Sequence, residues 1–250
     1  MTKGKHDALP VISLITICRN AEKTIERTLQ SVADQKEVAG LVEHIVVDGA
    51  STDGTMGIVG RFSHVARSIS EPDQGIADAF NKGMQMASGE YLLYLNADDW
   101  LYDDRVLRDA LMFIRSLGSP DWIVGDVMVD RNGRLERAVK SHPPSCWSLI
   151  LRNRICHPAV LIKKIVQLDA GGFDTSFKIA MDFDLWQRLC ARHIRPTYWP
   201  RVVSVFAMEG VSSMGGARRD EEHQAIMKRA RNTAIKRLVG AVYDLYQRVR

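Results

Sequence analysis

The sequence predicts an α/β fold in which helices flank a Rossmann-like, mostly parallel sheet. Three apolar runs, at residues 11–17, 44–47 and 91–95, have the composition of buried strands. Each run ends in a polar turn, and segments with apolar residues at helical spacing lie between the runs. Because parallel strands are joined by crossovers, this alternation places the polar turns at one edge, where open α/β sheets bind ligands.

The size and charge of the chain narrow the class of protein. Its 250 residues suffice for one large domain, and a formal net charge of +4 is too small to predict nucleic-acid binding. The amino terminus has no signal-peptide pattern, and no run approaches the roughly 18 apolar residues of a membrane span. We therefore expect a cytoplasmic protein. The cysteines have neither metal-site nor disulfide-framework spacing, which predicts reduced thiols at Cys18, Cys146, Cys156 and Cys190.

The turn at residues 48–55, after the second strand, combines glycines with oxygen-bearing side chains. Glycine lets the backbone approach a ligand closely, and the oxygens of Asp48, Ser51 and Asp53 suit the donor groups of a nucleobase or ribose. Carboxylates repel phosphate, and the turn is neither a Gly-x-Gly-x-x-Gly pattern nor a Walker loop. The structural alternative is that Ser51 or Asp53 caps the following helix.

A third strand closes at residue 69, and the turn 70–75 leads into a helix opened by Gly75. Asp78 and Lys82 lie one helical turn apart in this helix, and the structural interpretation is an ordinary surface ion pair. In the functional interpretation, Lys82 supplies positive charge to a diphosphate.

The run at residues 91–95 ends in Asn96-Ala97-Asp98-Asp99, an amide followed by two carboxylates. Because adjacent carboxylates repel each other, a divalent cation such as Mg²⁺ or Mn²⁺ beside them would relieve the repulsion and also bind phosphates. The structural alternative is that Asp98 and Asp99 cap the next helix. These residues alone leave both interpretations open.

The regular alternation ends near residue 120. Before that point a helix is predicted at 106–117, with its inner side formed by Leu107, Leu111, Ile114 and Leu117. After it, strands at 122–129 and 135–139 are joined by a hairpin-type turn. The predicted organisation is a ligand-binding α/β half, a mixed region of the same domain suited to a second substrate, and a helical tail, at residues 1–120, 121–215 and 216–250.

Two polar residues of the second half are candidates for a site. His157 precedes a strand-like run at 159–162, and a histidine at such an edge is more often a structural hydrogen-bonding group than a ligand. Asp182 lies at the start of a helix with an apolar inner face. It is a helix N-cap in the structural interpretation and a general base if its carboxylate points into the cleft.

The tail differs in composition from the rest of the chain. Residues 225–250 hold seven Lys or Arg and one acid, and their apolar residues fall on one face of a predicted helix. A basic amphipathic helix of this kind either lies on an anionic membrane surface or packs on the domain with its basic face in solvent.

Taken in order, these motifs resemble the family 2 glycosyltransferases with the GT-A fold, in the bacterial cell-surface polysaccharide branch. The matching motifs lie at 47–55, at 70–75 with 81–83, at 95–99 and at Asp182. Each is weak alone, but their order within residues 11–215 is specific. The resemblance implies an inverting, metal-dependent transferase that moves one sugar from a nucleotide diphosphate sugar, with a UDP-sugar favoured, to a saccharide or lipid-linked acceptor.

The resemblance also implies a role for each matching residue. Asp182 would be the catalytic base, and Asp98 would bind Mg²⁺ or Mn²⁺ as the metal-binding acid of the family's Asp-x-Asp motif. His157 and Asp99 would lie on the acceptor side. The donor would be held by Thr16, Arg19, Asn20, Asp48, Ser51, Asp53, Lys82, Asn96 and Ala97.

The sequence departs from the family pattern at two positions. Asn96 replaces an aspartate of many relatives and brings no charge to the metal site, and Met181 removes the acid that often precedes the base. The membrane helices and Gln-x-x-Arg-Trp motif of processive members are absent, which favours transfer of one sugar per encounter. The alternatives are a nucleotidyltransferase, although the turn at 18–21 lacks the expected glycine, and a non-catalytic nucleotide-sugar-binding or membrane-docking protein.

Overall fold

The computed structural model describes residues 11–131, 133–139, 146, 149, 153, 155–208 and 216–248, with backbone alone at 137–139 and 234–248. Within these residues nine strands form one sheet, and helices pack on both of its faces. The α/β class predicted from the sequence is confirmed.

The amino-terminal half repeats strand, turn and helix, as predicted. Its elements are β1 (Ile12–Cys18), α1 (Ile25–Ala33), β2 (Val42–Asp48), α2 (Thr55–Val59), β3 (Val65–Ser70), α3 (Ile76–Met86) and β4 (Tyr91–Asn96). The four strands are parallel, in the order β3-β2-β1-β4. The register aligns Cys18 with Asp48 and Ile17 with Asn96, so the polar turns after these strands meet at one edge.

The remaining elements extend the same sheet. They are β5 (Trp100–Leu101), α4 (Val106–Ser116), β6 (Trp122–Arg131), β7 (Arg134–Val139), a 3-10 turn (His157–Ala159), β8 (Val160–Lys163), α5 (Lys164–Asp169), α6 (Met181–Ala191), β9 (Thr197–Ala207) and α7 (Gly216–Arg248). Strand β8 is antiparallel to both β4 and β6, and it thereby joins the parallel half to the mixed half. Strand β9 is parallel to β6 and antiparallel to β5.

Apolar side chains fill both faces of the sheet, which accounts for the near-continuous apolar runs of its strands. On one face, Phe80 of α3 and Trp186 of α6 belong to the same buried cluster as Tyr94. On the other face, Leu107 of α4 packs in a cluster with Leu93. Strand β4 contributes to both clusters because successive side chains of a strand point to opposite faces.

The predicted hairpin after residue 120 is confirmed, since β6 and β7 pair in antiparallel fashion. Three of the four leucine and isoleucine residues assigned to the inner side of α4 are buried, but Leu117 is 50% exposed. That prediction was wrong because the helix ends at Ser116, and Leu117 is its C-cap residue.

The cysteines correct a second prediction. Cys146 and Cys190 form a disulfide bond with their Cα atoms 5.4 Å apart, whereas Cys18 and Cys156 are free thiols. The partners are separated by 44 residues in the sequence. Spacing along the chain therefore carried no sign of the pair, which only the folding of the chain brings together.

The tail contains helix α7, which spans Gly216–Arg248. The predicted apolar face at residues 235–249 lies outside the side chains that the structure describes. Among the described residues, none of the helices combines the length and the apolar character needed to cross a bilayer.

Candidate active site

Asp48, at the end of β2, is the centre of the first polar turn. Its carboxylate accepts hydrogen bonds from the Ser51 N–H at 2.9 Å, from the Ser51 hydroxyl and from the Ser70 hydroxyl at 2.6 Å. Burial opposes ionisation, but these hydrogen bonds hold the pKa of Asp48 below its usual value. Asp48 has no exposed surface. Asp48 therefore shapes the turn, and its predicted contact with the nucleoside stays a prediction.

A second set of contacts joins the turn after β1 to the turn after β2. The Asn20 side-chain carbonyl oxygen accepts from the Thr52 N–H at 2.9 Å, and the Ser51 hydroxyl accepts from the Asn20 N–H at 2.7 Å. Asp53 accepts from the Thr55 N–H at 3.0 Å, but the N-cap residue of α2 is Gly54, so the capping alternative for Ser51 or Asp53 is wrong. Arg19, between the two turns, is exposed. The Arg19 side chain is therefore accessible to a ligand that binds over these two hydrogen-bonded turns.

Two other residues expected to hold the donor are enclosed in the fold. Thr16 is fully buried, and its hydroxyl is 2.9 Å from the His44 Nε2 atom. Ala97 is 6% exposed, and its N–H donates to the Ile17 carbonyl at 3.1 Å. Both residues pack at the strand ends, and their predicted contact with the donor stays a prediction.

Two lysines donate hydrogen bonds to backbone carbonyls of the loop at 71–75. Lys82 Nζ donates to the Pro72 carbonyl at 2.8 Å and lies 2.8 Å from a Glu71 carboxylate oxygen and 3.7 Å from Asp78. Lys178, which the sequence did not single out, donates from its Nζ to the Gln74 carbonyl at 2.7 Å. The predicted pair of Asp78 and Lys82 is present, and both cations lie beside the candidate donor site.

The acidic turn after β4 places two carboxylates in different environments. Burial raises the pKa of Asp98, and the charge of Arg27 partly opposes this. Burial and then the charge of Asp98 raise the pKa of Asp99 well above its usual value. Asp99 is fully buried, and its Oδ1 accepts from the Ala207 N–H at 3.0 Å. Asp99 thus anchors the end of β9, and its predicted place on the acceptor side stays a prediction.

Neither acid caps the next helix. Helix α4 begins at Val106 with Arg105 as its N-cap residue, and the Arg105 N–H donates to Asp103. The capping alternative for Asp98 and Asp99 is therefore wrong.

Arg27 of α1 is a cation at this turn that sequence analysis missed. Its Nη2 donates to the Asp98 carbonyl at 3.2 Å, and its Nη1 lies 3.6 Å from an Asp130 carboxylate oxygen. Its guanidinium carbon is 3.4 Å from the centre of the Trp100 ring. On the helical pattern Arg27 is only a solvent-facing residue of an amphipathic helix, so no local signal distinguished it.

The turn has the chemistry to receive a divalent cation that is shared with a ligand. Within the described part of the chain, no group of three or more His, Cys, Asp or Glu residues could hold a metal ion by itself. A Mg²⁺ or Mn²⁺ site of one carboxylate completed by phosphate oxygens needs no such group. At the same turn, Asn96 Oδ1 is buried and has no hydrogen-bond donor among the described residues. The residues present therefore fit a cation held by Asp98 and a bound diphosphate.

Asp182 is the second residue of α6. Its N-cap interpretation is wrong, because the N-cap position is Ala180. Burial raises the pKa of Asp182 to about 7, against hydrogen bonds from the Phe183 N–H and the Asn153 side chain. A carboxyl group with a pKa near neutrality can accept a proton at the pH of a cell. Asn153 is a further contact that the sequence did not indicate.

The Cys156 thiol lies within electrostatic range of both Asp182 and the acidic turn. Burial, followed by the charges of Asp182 and Asp99, raises the pKa of its thiol to about 12. The two carboxylates, 83 positions apart in the numbering, therefore act on one thiol. The neighbouring His157 is 8% exposed, burial lowers its pKa to about 4, and its Nε2 has no partner among the described residues. His157 is thus neutral at physiological pH, and its acceptor-side role stays a prediction.

Open α/β sheets bind ligands beyond the carboxyl ends of their strands, which is where the acidic turn of this chain lies. Residues 13–166 match the sequence model described as glycosyl transferase family 2. The chain belongs to this family.

Named relatives agree with this assignment. The chain is 30% identical over 182 residues to a PGL/p-HBAD biosynthesis glycosyltransferase of Mycobacterium tuberculosis, covering 71% of this chain and 68% of the relative. It is 38% identical over 112 residues to the putative teichuronic acid biosynthesis glycosyltransferase TuaG of Bacillus subtilis, covering 43% of this chain and 44% of TuaG.

Solved structures show the same fold. Staphylococcus aureus TarS residues 1–349, in complex with UDP-GlcNAc, superposes with a TM-score of 0.67 at 22% identity, over 78% of this chain and 58% of that chain. The mannosyltransferase PcManGT of Pyrobaculum calidifontis, in complex with GDP-Man and Mn²⁺, gives a TM-score of 0.64 at 22% identity, over 88% of this chain and 63% of that chain. This chain spans less than two thirds of either, and the likeness confirms the predicted GT-A fold.

Proposed function

We propose that this protein is a metal-dependent, inverting glycosyltransferase that moves one sugar per encounter from a nucleotide diphosphate sugar to an acceptor hydroxyl. One observation carries the proposal: in a chain of glycosyl transferase family 2, the sheet register brings the polar turns after β1, β2 and β4 to one edge. A base on one side of a crevice and a diphosphate-binding acidic turn on the other are the two parts that a single displacement requires.

The acidic turn would hold the donor's diphosphate. Asp98 would bind Mg²⁺ or Mn²⁺, and the cation would stabilise the negative charge that develops on the leaving nucleotide diphosphate. The unpartnered Asn96 Oδ1 suits a ribose hydroxyl, because a buried carbonyl oxygen without a donor is costly. Arg19 and Asn20 would contact the nucleoside above the turn that Asp48 shapes. The Mn²⁺ of the PcManGT complex supports divalent metal use.

Asp182 would act on the acceptor. The ionised carboxylate takes the proton of the acceptor hydroxyl while the hydroxyl oxygen bonds to the anomeric carbon, and the bond from that carbon to the diphosphate oxygen breaks. The attack comes from the face opposite the leaving group, so the anomeric configuration inverts. No enzyme-bound sugar intermediate is required, in contrast to a retaining hydrolase.

A UDP-sugar is the donor we propose, with a saccharide or lipid-linked acceptor in bacterial polysaccharide or glycolipid assembly. The structural neighbours are complexes with UDP, UDP-GlcNAc and GDP-Man, and the relatives' names refer to PGL/p-HBAD and teichuronic acid biosynthesis. A cytoplasmic protein whose basic residues at 225–250 rest on the inner membrane surface would meet a lipid-linked acceptor there.

The test compares Asp182→Asn with the unaltered protein on a panel of nucleotide sugars. Removal of the base should lower turnover by roughly 10²- to 10⁴-fold and leave the calorimetric affinity for the donor unchanged. Asp169→Asn, at the end of α5, makes the same chemical change at a side chain with no hydrogen bond or ion pair to a described residue, and it should have wild-type turnover. Wild-type turnover of Asp182→Asn would exclude the assigned base, and a chain that binds donors without turnover would be a non-catalytic binder.

A further inference from the structure

The carboxylate of Glu222, on α7, binds the backbone immediately before α6. Its Oε1 accepts from the Lys178 N–H at 2.9 Å, and its Oε2 accepts from the N–H groups of Ile179 and Ala180, each at 2.9 Å. Asp182 follows two residues after the last of these donors. One side chain of the tail thus receives three consecutive N–H groups at the start of the helix that carries Asp182.

Glu222 is held as an ion in this position. Its side chain is 11% exposed, and Arg218 Nε lies 3.3 Å from Oε1. Burial opposes ionisation, but the three backbone hydrogen bonds outweigh it and hold the pKa of Glu222 below its usual value. A carboxylate at a helix amino terminus also interacts favourably with the helix dipole.

Phe183, the residue after Asp182, also packs against α7. Phe183 is 1% exposed and packs with Ala180 and Ile226 in a small buried cluster. The ring of His223 lies 4.9 Å from the ring of Phe183. The α7 side chains at 222, 223 and 226 therefore contact the chain on both sides of Asp182.

An ion pair extends these contacts by one further turn of α7. Arg229 Nη1 lies 3.2 Å from an Asp174 carboxylate oxygen and 3.5 Å from Asp184 Oδ1. Asp184 is 1% exposed and also accepts from Arg188 at 2.6 Å. Lys178, whose N–H Glu222 receives, reaches the loop at 71–75 through the Gln74 carbonyl. The contacts of α7 thus continue to the edge of the candidate donor site.

We propose that Glu222 is a positioning residue for the transfer reaction: by receiving the N–H groups of 178–180 it fixes the first turn of α6 and thereby the direction of the Asp182 carboxylate. This inference rests on the proposed role of Asp182 as the base. It gives the first turns of α7 a part in positioning the base, which the composition of the tail did not indicate.

The experiment uses three variants of the full chain. Glu222→Gln keeps the shape but supplies one acceptor oxygen and no charge, and Glu222→Ala removes both. Glu221→Gln is the matched control, because Glu221 is the exposed neighbouring acid and has no hydrogen bond or ion pair to a described residue. For each variant we would measure kcat, the donor KM, the thermal unfolding midpoint and amide hydrogen exchange of the 178–180 segment. Asp182→Asn is assayed in parallel.

We expect kcat to fall roughly 10- to 100-fold in Glu222→Ala, because small misplacement of a reacting group is costly. The decrease should be smaller in Glu222→Gln, and the donor KM should change less than about twofold in both. Exchange at 178–180 should rise about tenfold or more, since the hydrogen bonds to a charged acceptor are lost. Glu221→Gln should match the unaltered protein in all four measurements. A general stabilising role would instead lower the unfolding midpoint and leave kcat of the folded fraction unchanged.

The outcomes separate this inference from the proposed function. Inactive Asp182→Asn together with fully active Glu222→Gln and Glu222→Ala would overturn the positioning role and leave the base in place. Unchanged exchange at 178–180 would overturn the backbone contact itself. Wild-type turnover of Asp182→Asn would overturn the base and, with it, the catalytic effect assigned to Glu222.

Discussion

At the scale of single residues, burial divides the acids of this site by function. Asp182 is buried enough to raise its pKa to about 7, yet it keeps some exposed surface. Asp99 is fully enclosed and bonds the β9 backbone. Asp48 is enclosed too, but hydrogen-bond donors keep it ionised. The same side chain thus serves as a candidate base, as an anchor and as the centre of a turn, according to its partners.

The pKa of Asp182 predicts a pH dependence. A base must be ionised to accept a proton, so activity is lost as the pH falls through the raised pKa and is complete above it. We expect kcat/KM to level off above about pH 7 and to decrease about tenfold per pH unit below it. Initial rates between about pH 5.5 and 8.5 check this, and a flat profile across that range would contradict the assignment.

The role of Asp98 predicts metal-linked donor binding. Calorimetry of a nucleoside diphosphate should show tighter binding with Mn²⁺ than in chelator, by at least tenfold or about 1.4 kcal/mol. Asp98→Ala should bind equally weakly under both conditions, because its carboxylate no longer holds the cation. Equal affinities of the unaltered protein with Mn²⁺ and in chelator would exclude metal-assisted donor binding.

At the scale of elements, α7 has two parts with different surroundings. Residues 222–229 contact the backbone just before α6 through a carboxylate, and α6 itself through an apolar side chain and a guanidinium. Residues 234–250 supply four of the seven basic residues counted after residue 224, namely Lys236, Arg237, Arg248 and Arg250. A truncation intended to test membrane binding should therefore begin after the contacts with α6.

We predict that the full chain co-sediments with vesicles containing phosphatidylserine and that a chain ending at Thr233 binds them much more weakly. Each basic residue near an anionic surface contributes about 1 kcal/mol, so the loss of four is a large effect. Neutral phosphatidylcholine vesicles are the control, and turnover on a water-soluble acceptor should be unchanged by the truncation. Identical sedimentation of the two chains would remove the membrane proposal.

At the scale of the whole molecule, β8 and β4 make one sheet from both predicted halves of the domain. Crossover connections between parallel strands bring the donor-side turns together. Helix α6, which carries Asp182, instead follows the antiparallel strand β8 along the chain. The disulfide between Cys146 and Cys190 joins the end of α6 to the region before β8.

Thiol titration checks this arrangement of cysteines. In denaturant without reductant, two thiols should react, those of Cys18 and Cys156, and reduction should raise the number to four. Cys190→Ser should leave three reactive thiols without reductant, because its partner is released. Four reactive thiols in unreduced protein would exclude the bond.

The accuracy of the sequence-based predictions depended on how local each signal was. The strands at Ile12–Cys18 and Tyr91–Asn96 and the pair of Asp78 and Lys82 follow from spacing along the chain, and the structure contains them. Thr16 and Ala97 were assigned to the donor by the family resemblance alone, and the structure shows that both are buried at strand ends. Whether a strand-end residue faces a ligand depends on which strand lies beside it, and a single segment does not contain that information.

By itself, the sequence determined the succession of strands, polar turns and helices and the position of the acidic turn, because periodicity and turn chemistry act over a few residues. Only the tertiary structure decided that Arg27 lies beside Asp98, that Cys146 bonds Cys190 and that Glu222 receives the backbone before Asp182. These contacts join residues 42 or more positions apart, so packing of the complete sheet and its helices is what brings them together.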